Sequence, residues 1–202
     1  LGETIDIHGG GLDLIFPHHE NEIAQSRCVH AGLPLARFWV HNGFVDMGTE
    51  KMSKSIGNII TPAELLQTNV GGSLRLALLS AQYRQPLSWT DDLVDWSRKT
   101  FEEWCNLVMQ SFETLDDQNA AWNARPEPSN EIVEALSDDL NSPIAIQVLH
   151  ERAKLLRRVI ERGNRNDQAE LAKELMADGD LLGLEIKFES SLGARVFKDE
   201  TL

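Results

Sequence analysis

Two lysines and two serines fall within five residues, Lys51-Met52-Ser53-Lys54-Ser55, with Gly48 before them and Gly57 after. An ammonium is a compact point charge suited to phosphate oxygens. Flanking glycines give a loop the freedom to close over a polyphosphate and reopen. A solvated lysine turn would have the same composition, since surface lysines are common; only the full five-residue string separates the two. A second group is Phe16-Pro17-His18-His19-Glu20-Asn21-Glu22. On a helix His18 and Glu22 stand at i and i+4, so an imidazole and a carboxylate leave one face together. That pair suits two ligands of a tetrahedral zinc but does not complete the site. A plain polar first turn, with acidic side chains facing the helix dipole, is the competing explanation. The hydrolase pattern HExxH is excluded, because His19-Glu20-Asn21-Glu22 is followed by Ile23 and the second histidine is missing. The third group is Asp6-Ile7-His8-Gly9-Gly10-Gly11-Leu12-Asp13. Gly9, Gly10 and Gly11 let a ligand approach the backbone closely, and Asp13 offers a carboxylate to ribose hydroxyls. A glycine-rich turn by itself is unspecific.

These residues need elements to hold them. Ile5 and Ile7 alternate with polar residues as a short strand running into the three glycines. His18 to Cys28 is expected as a helix with Pro17 near its first turn. Phe38 to His41 and Gly43 to Asp46 are expected as a buried strand and its turn. Thr61-Pro62-Ala63-Glu64 predicts a capped helix start: hydroxyl cap, proline at the first helical position, glutamate closing the box. That helix is expected to break near Gly71-Gly72, with a second from Ser73 to Ala81. From Asp91 to about Leu115 the apolar residues Leu93, Phe101, Trp104 and Val108 share roughly one helical face. Asn123 to Ser129 is expected as a linker. A helix through Ile132 follows, then one starting at Ser142-Pro143 and ending at Gly163-Asn164, then one through Gln168 to Met176. An antiparallel helical bundle over 91–183 is the economical arrangement.

Composition bounds the rest. The chain has 202 residues, 42% hydrophobic and 25% charged, with a net charge of -13. No run of 18 apolar residues exists, so no membrane-spanning helix is expected. The start has neither a basic segment nor a long apolar one, so no secretory signal is expected in it. Two cysteines, Cys28 and Cys105, make no disulfide framework, and a reducing, cytoplasmic setting is expected. The acidic excess is uneven: residues 1–100 carry 11 acidic and 8 basic side chains, leaving 21 and 11 for 101–202. Nonspecific coating of nucleic acid is therefore excluded, since phosphate binding is driven by Lys and Arg. A local basic face is not. Arg152, Lys154, Arg157, Arg158, Arg162 and Arg165 form the densest basic run in the acidic half, either a nucleic-acid contact or a solvated helix face.

In order, the motifs HGGGxDLxFPHHENE and KMSKSxGN closely resemble the cysteine–tRNA ligase family of class I aminoacyl-tRNA synthetases. The resemblance extends through Leu74-Arg75-Leu76, Tyr83-Arg84 and Asp138 to Pro143. It implies the second half of a Rossmann-like α/β catalytic domain followed by an all-α bundle. Residues 1–60 would be the catalytic part with its zinc-ligand helix and signature loop, 61–90 a helical connector, and 91–202 the tRNA-binding bundle. It implies ATP-dependent joining of cysteine to tRNA(Cys) through a cysteinyl-adenylate, with Zn2+ holding the substrate thiolate and Mg2+ accompanying ATP. Residue by residue, His18 and Glu22 match zinc ligands, His8 a histidine near that pocket, and Lys54 the ATP-binding lysine. Lys51 would act with Lys54 in catalysis, while Ser53, Ser55, Gly9, Gly10, Gly11 and Asp13 would line the nucleotide site. Cys28 matches neither cysteine ligand of the family. A HIGH-type motif and two ligand cysteines are missing, and the chain opens on Leu1 rather than Met. The expectation is therefore a monomeric part of a longer enzyme, inactive alone. A related ligase joining cysteine to a glucosaminyl-inositol, or a tRNA-binding module without catalysis, would share parts of this pattern.

Overall fold

The computed structural model describes residues 2–47, 50, 51 and 61–187. Two compact units emerge, one from residues 1–51 with 83–88, the other from 52–82 with 89–202.

In the first unit, strand β1 (Ile5–Gly11) pairs in parallel with β2 (Ala36–Asn42), and helix α1 (Glu20–Val29) lies in the crossover between them. Parallel neighbours need such a crossover, so this is a βαβ unit. The register sets Ile7 beside Phe38, His8 beside Trp39 and Gly10 beside His41. Because side chains alternate across a strand, His8, Trp39 and His41 gather on one face. Ile7 and Phe38 share the other and are 65% and 66% exposed. The expected helix from His18 begins differently: Ile15–His19 forms a wide turn with Phe16 extended, and regular helix starts at Glu20. The extended Phe16 follows from Pro17, which disfavours helix in the residue before it. A small second sheet has β3 (Val45–Met47) between β4 (Glu50–Lys51), antiparallel, and β5 (Leu87–Ser88), parallel.

The second unit is helical: α2 (Pro62–Leu65), α3 (Gly71–Leu79), α4 (Asp91–Gln110), α5 (Leu115–Asn123), α6 (Asn130–Ser137), α7 (Ser142–Arg162) and α8 (Arg165–Leu181). Its core holds Leu76, Trp104, Ile132, Leu149, Leu156 and Leu175, all fully or almost fully buried. The capping box at Thr61 forms with Glu64, whose carboxylate takes both the Thr61 N–H and hydroxyl at 2.8 Å. Those hydrogen bonds hold the Glu64 carboxyl below its usual range. Asn141 caps α7 with Pro143 in its first turn, and Gly163 closes that helix in the left-handed conformation at φ 73°.

Two expectations for this half are corrected. Gly71 and Gly72 do not break a helix; they open α3. A Cβ on Gly72 would strike the Phe101 ring, so the glycine serves the contact between α3 and α4. The helix expected from Asp91 to about Leu115 ends five residues earlier, and a separate helix that the pattern did not show lies beyond it. Helix α4 stops at Gln110, and Thr114 begins α5 in a reciprocal capping box with Asp117. Thr-x-x-Asp offers the backbone two partners at a new start.

Candidate functional site: an imidazole–carboxylate cluster beside the glycine strand

Glu22, in the first turn of α1, stands between two histidines. His8 Nε2 lies 3.0 Å from its Oε2, and His18 Nε2 lies 3.3 Å from its Oε1. The i, i+4 spacing accounts for His18. His8 arrives from the middle of β1, whose glycine-rich end passes under the start of α1. His19 is the buried member, 3% exposed, and its Nδ1 meets His41 Nε2 at 2.9 Å. Trp39 lies against the rings of His8, His19 and His41, with centroids 4.8 to 6.0 Å apart. Burial, then the neighbouring His8 and His41, push the His19 imidazole below the ordinary histidine range. The neutral imidazole is thereby favoured, with one ring nitrogen a donor and the other an acceptor.

The glycines acquire a specific reason. A Cβ on Gly10 would sit 2.9 Å from Leu14 Cδ1 and 3.0 Å from His19 Cε1. The space above Gly10 is filled by the protein's own side chains, and that is how His19 packs against the sheet. Gly9 faces the Val40 carbonyl across the strand pair, and Gly11 adjoins the Asp13 carboxylate. Asp13 itself is exposed in the short turn after β1.

His8, His19 and Glu22 each present a ligand atom within 4.8 Å of the others. One observation tests whether a cation fits. Glu22 Oε2 is buried and has no hydrogen-bond partner among the described residues; His8 Nε2 is at ion-pair distance but not aligned as a donor. A carboxylate with one oxygen buried and no aligned donor is costly, and a cation held by that carboxylate among the imidazoles would offset its charge. Nitrogen and oxygen donors are suited to zinc. Cys28 is exposed, and both cysteines are free thiols.

The signature lysines are placed only in part. Lys51 lies in β4, with its backbone paired to Asp46; Ser53, Lys54 and Ser55 lie outside the described residues. Asp46 escaped the sequence reading. It is partly buried, and its Oδ1 has no hydrogen-bond partner among the described residues. His19 and His41 also escaped it, although Trp39 and His41 at i and i+2 already share a strand face.

The basic run on α7 is mostly neutralised. Arg152 is 15% exposed, with Nε 2.8 Å from buried Asp178, and it also pairs with Glu174. Arg157 pairs with Glu103, Arg165 with Glu113 and Lys154 with Glu151. Arg158 and Arg162 are exposed, with no carboxylate partner among the described residues. No helix among the described residues is long and apolar enough to cross a membrane.

Comparison with known proteins places this arrangement. The family described as the class I (C) tRNA synthetase catalytic domain matches residues 1–99, and the DALR domain matches residues 131–187. A cysteine–tRNA ligase of Caulobacter sp. (strain K31) is 47% identical over 183 residues, and one of Parvibaculum lavamentivorans is 48% identical over 189. Each alignment takes in 91% of this chain and 38% of the relative, so the chain spans under two-fifths of their length. Among solved structures, a LeuRS of Agrobacterium radiobacter K84, in a ternary complex with tRNA and LeuAMS, superposes with a TM-score of 0.67 at 17% identity. It covers 95% of this chain and 28% of that one. A Mycobacterium tuberculosis methionyl-tRNA synthetase bound to methionyl-adenylate gives 0.53 at 20%, over 95% of this chain and 43% of that one. At such identities the structural likeness speaks for the fold alone: an α/β part of a class I synthetase catalytic domain followed by a helical region. Taken with the identity to the two ligases over nine-tenths of its length, the chain belongs to the cysteine–tRNA ligase family of class I tRNA synthetases.

Proposed function

We propose that the chain is the amino-acid-selecting and signature-loop portion of an enzyme that joins cysteine to tRNA(Cys) with ATP. The observation that carries this is Glu22 standing between His8 and His18 at the end of the glycine strand, in a chain whose relatives are cysteine–tRNA ligases. The cysteine carboxylate attacks the α-phosphate of ATP, forming cysteinyl-adenylate and releasing pyrophosphate. A terminal ribose hydroxyl of the tRNA then takes the acyl group and AMP leaves. Lys54 and Lys51 hold the phosphates and stabilise the charge that develops on them, an electrostatic contribution of the kind that dominates such sites. Ser53, Ser55 and the backbone at Gly9 and Gly11 bind the nucleotide, and Asp13 accepts from ribose hydroxyls; Gly10 instead makes room for His19. His18 and Glu22 hold zinc, which when bound gives the substrate thiolate a soft partner that serine cannot match. Residues 1–60 form the catalytic part, 61–90 the connector and 91–202 the tRNA side.

The test is cysteine-dependent ATP–pyrophosphate exchange in an enzyme of the relatives' full length. Lys54→Ala should lower exchange by two or more orders of magnitude, the scale seen when one charge-stabilising group is removed. Glu22→Ala should remove zinc and discrimination against serine together. Full activity in Lys54→Ala would overturn the assignment.

A further inference from the structure

The two histidines beside Glu22 are held very differently. His8 sits in the middle of β1, backbone-paired to β2 opposite Trp39. Its ring is wedged between Trp39, at 4.8 Å, and His19, at 4.9 Å and nearly perpendicular. Its side chain is 23% exposed. His18 lies in the irregular turn before α1, and its side chain is 58% exposed. The carboxylate between them is thus flanked by a fixed imidazole at Oε2 and an open one at Oε1. A ligand must be reachable, whereas a group that orients a ligand must be rigid.

We infer that His8 is a positioning residue for Glu22: its Nε2 fixes the buried Oε2, so that Oε1 stays turned toward His18 for the metal. Metal-binding carboxylates are ordinarily steadied by a second hydrogen-bonding partner, and losing it lowers metal affinity about 10–100-fold. His8 Nε2 stands 3.0 Å from Oε2, within reach of a hydrogen bond. The support under His8 is part of the same device. Gly10 lacks the Cβ that would push His19 away, and His41 holds His19 by its Nδ1.

The inference rests on the zinc assignment proposed above, and one variant series separates the two. Zinc affinity is measured by competition with a chromophoric chelator, in the enzyme at its relatives' full length. His8→Asn and His8→Gln are both polar, but only the glutamine amide reaches the position of Nε2. His8→Asn should weaken zinc about 10–100-fold and raise the KM for cysteine while leaving the KM for ATP unchanged. His8→Gln should restore both to within a few-fold. If Glu22→Ala and His18→Ala lose zinc while His8→Asn binds it as tightly as the parent, the positioning role is wrong and the site stands. Complete loss of zinc in both His8 variants, matching His18→Ala, would make His8 a ligand and overturn the positioning role. If Glu22→Ala and His18→Ala keep zinc, the zinc assignment fails and takes this inference with it.

Discussion

At the scale of single residues, two groups in the helical unit, one buried and one half-buried, have clear consequences. Asp178 is fully buried and accepts from the Ser129 N–H at 2.7 Å and its hydroxyl at 2.9 Å, with Arg152 Nε at 2.8 Å. Removing Asp178 would leave both Ser129 donors unpaired and Arg152 with Glu174 alone, a cost of about 1–3 kcal/mol. Asp178→Ala should therefore lower unfolding free energy by that amount in urea titration, and the start of α6, capped by Ser129, should lose its protection from amide exchange first. His150 on α7 is the second. It packs edge-on to Trp104 at 5.1 Å, and burial pushes its imidazole below the ordinary value of 6.5. A histidine whose folded pKa is depressed binds fewer protons folded than unfolded. Stability is then fully present above pH 6.5 and falls as pH drops through 6.5 toward the folded value. Urea midpoints taken between pH 7.5 and 5.5 should decline in the parent, and the decline should be shallower in His150→Phe.

At the scale of elements, close contacts decide what the sequence pattern leaves open. Gly72 sits in the first turn of α3 because the Phe101 ring of α4 occupies the place of its side chain. Gly72→Ala improves helix propensity, which alone would favour it. Overpacking against a buried ring costs about 1–3 kcal/mol and should prevail, giving a net loss of thermal stability; a gain would show that Phe101 yields. The break between α4 and α5 depends on Thr114, whose hydroxyl accepts from the Asp117 N–H at 3.1 Å while Asp117 takes the Thr114 N–H at 3.0 Å. Thr114→Ala should cost about 1 kcal/mol, read as a shift in the denaturation midpoint.

At the scale of the whole molecule, charge is distributed by pairing as much as by composition. The chain carries a net charge of -13, yet a tRNA-binding role for the bundle needs only a few unneutralised cations. The run from Arg152 to Arg165 looks continuous in sequence. In the fold Arg152 turns inward to Asp178, and Arg157 and Arg165 are matched by Glu103 and Glu113. Arg158 and Arg162, one turn apart on α7 and exposed, remain for phosphate. Reversing both to glutamate should weaken binding of tRNA(Cys) and flatten the slope of log affinity against log salt by about one unit or more. The same reversal at Arg157 and Arg165 should have the smaller effect, and equal effects would exclude this division.

The sequence alone determined what depends on neighbours a few residues apart. The cap at Thr61, the extended Phe16 before Pro17, the helix end at Gly163 and the i, i+4 pairing of His18 with Glu22 follow from local backbone chemistry, and the structure has each of them; the start at Ser142-Pro143 is also there, with Asn141 rather than Ser142 as its cap. The motifs also carried the family. Only the tertiary structure decided which glycine makes room for which ring, which arginines stay unpaired, and that His19 is gripped by His41. Those outcomes depend on strand register and helix packing between residues 20 to 60 positions apart. One register brings His8 to Trp39, and a slip by one residue would turn His8 away from Glu22. Spacing along the chain holds no record of that register; it exists only in the pairing of β1 with β2.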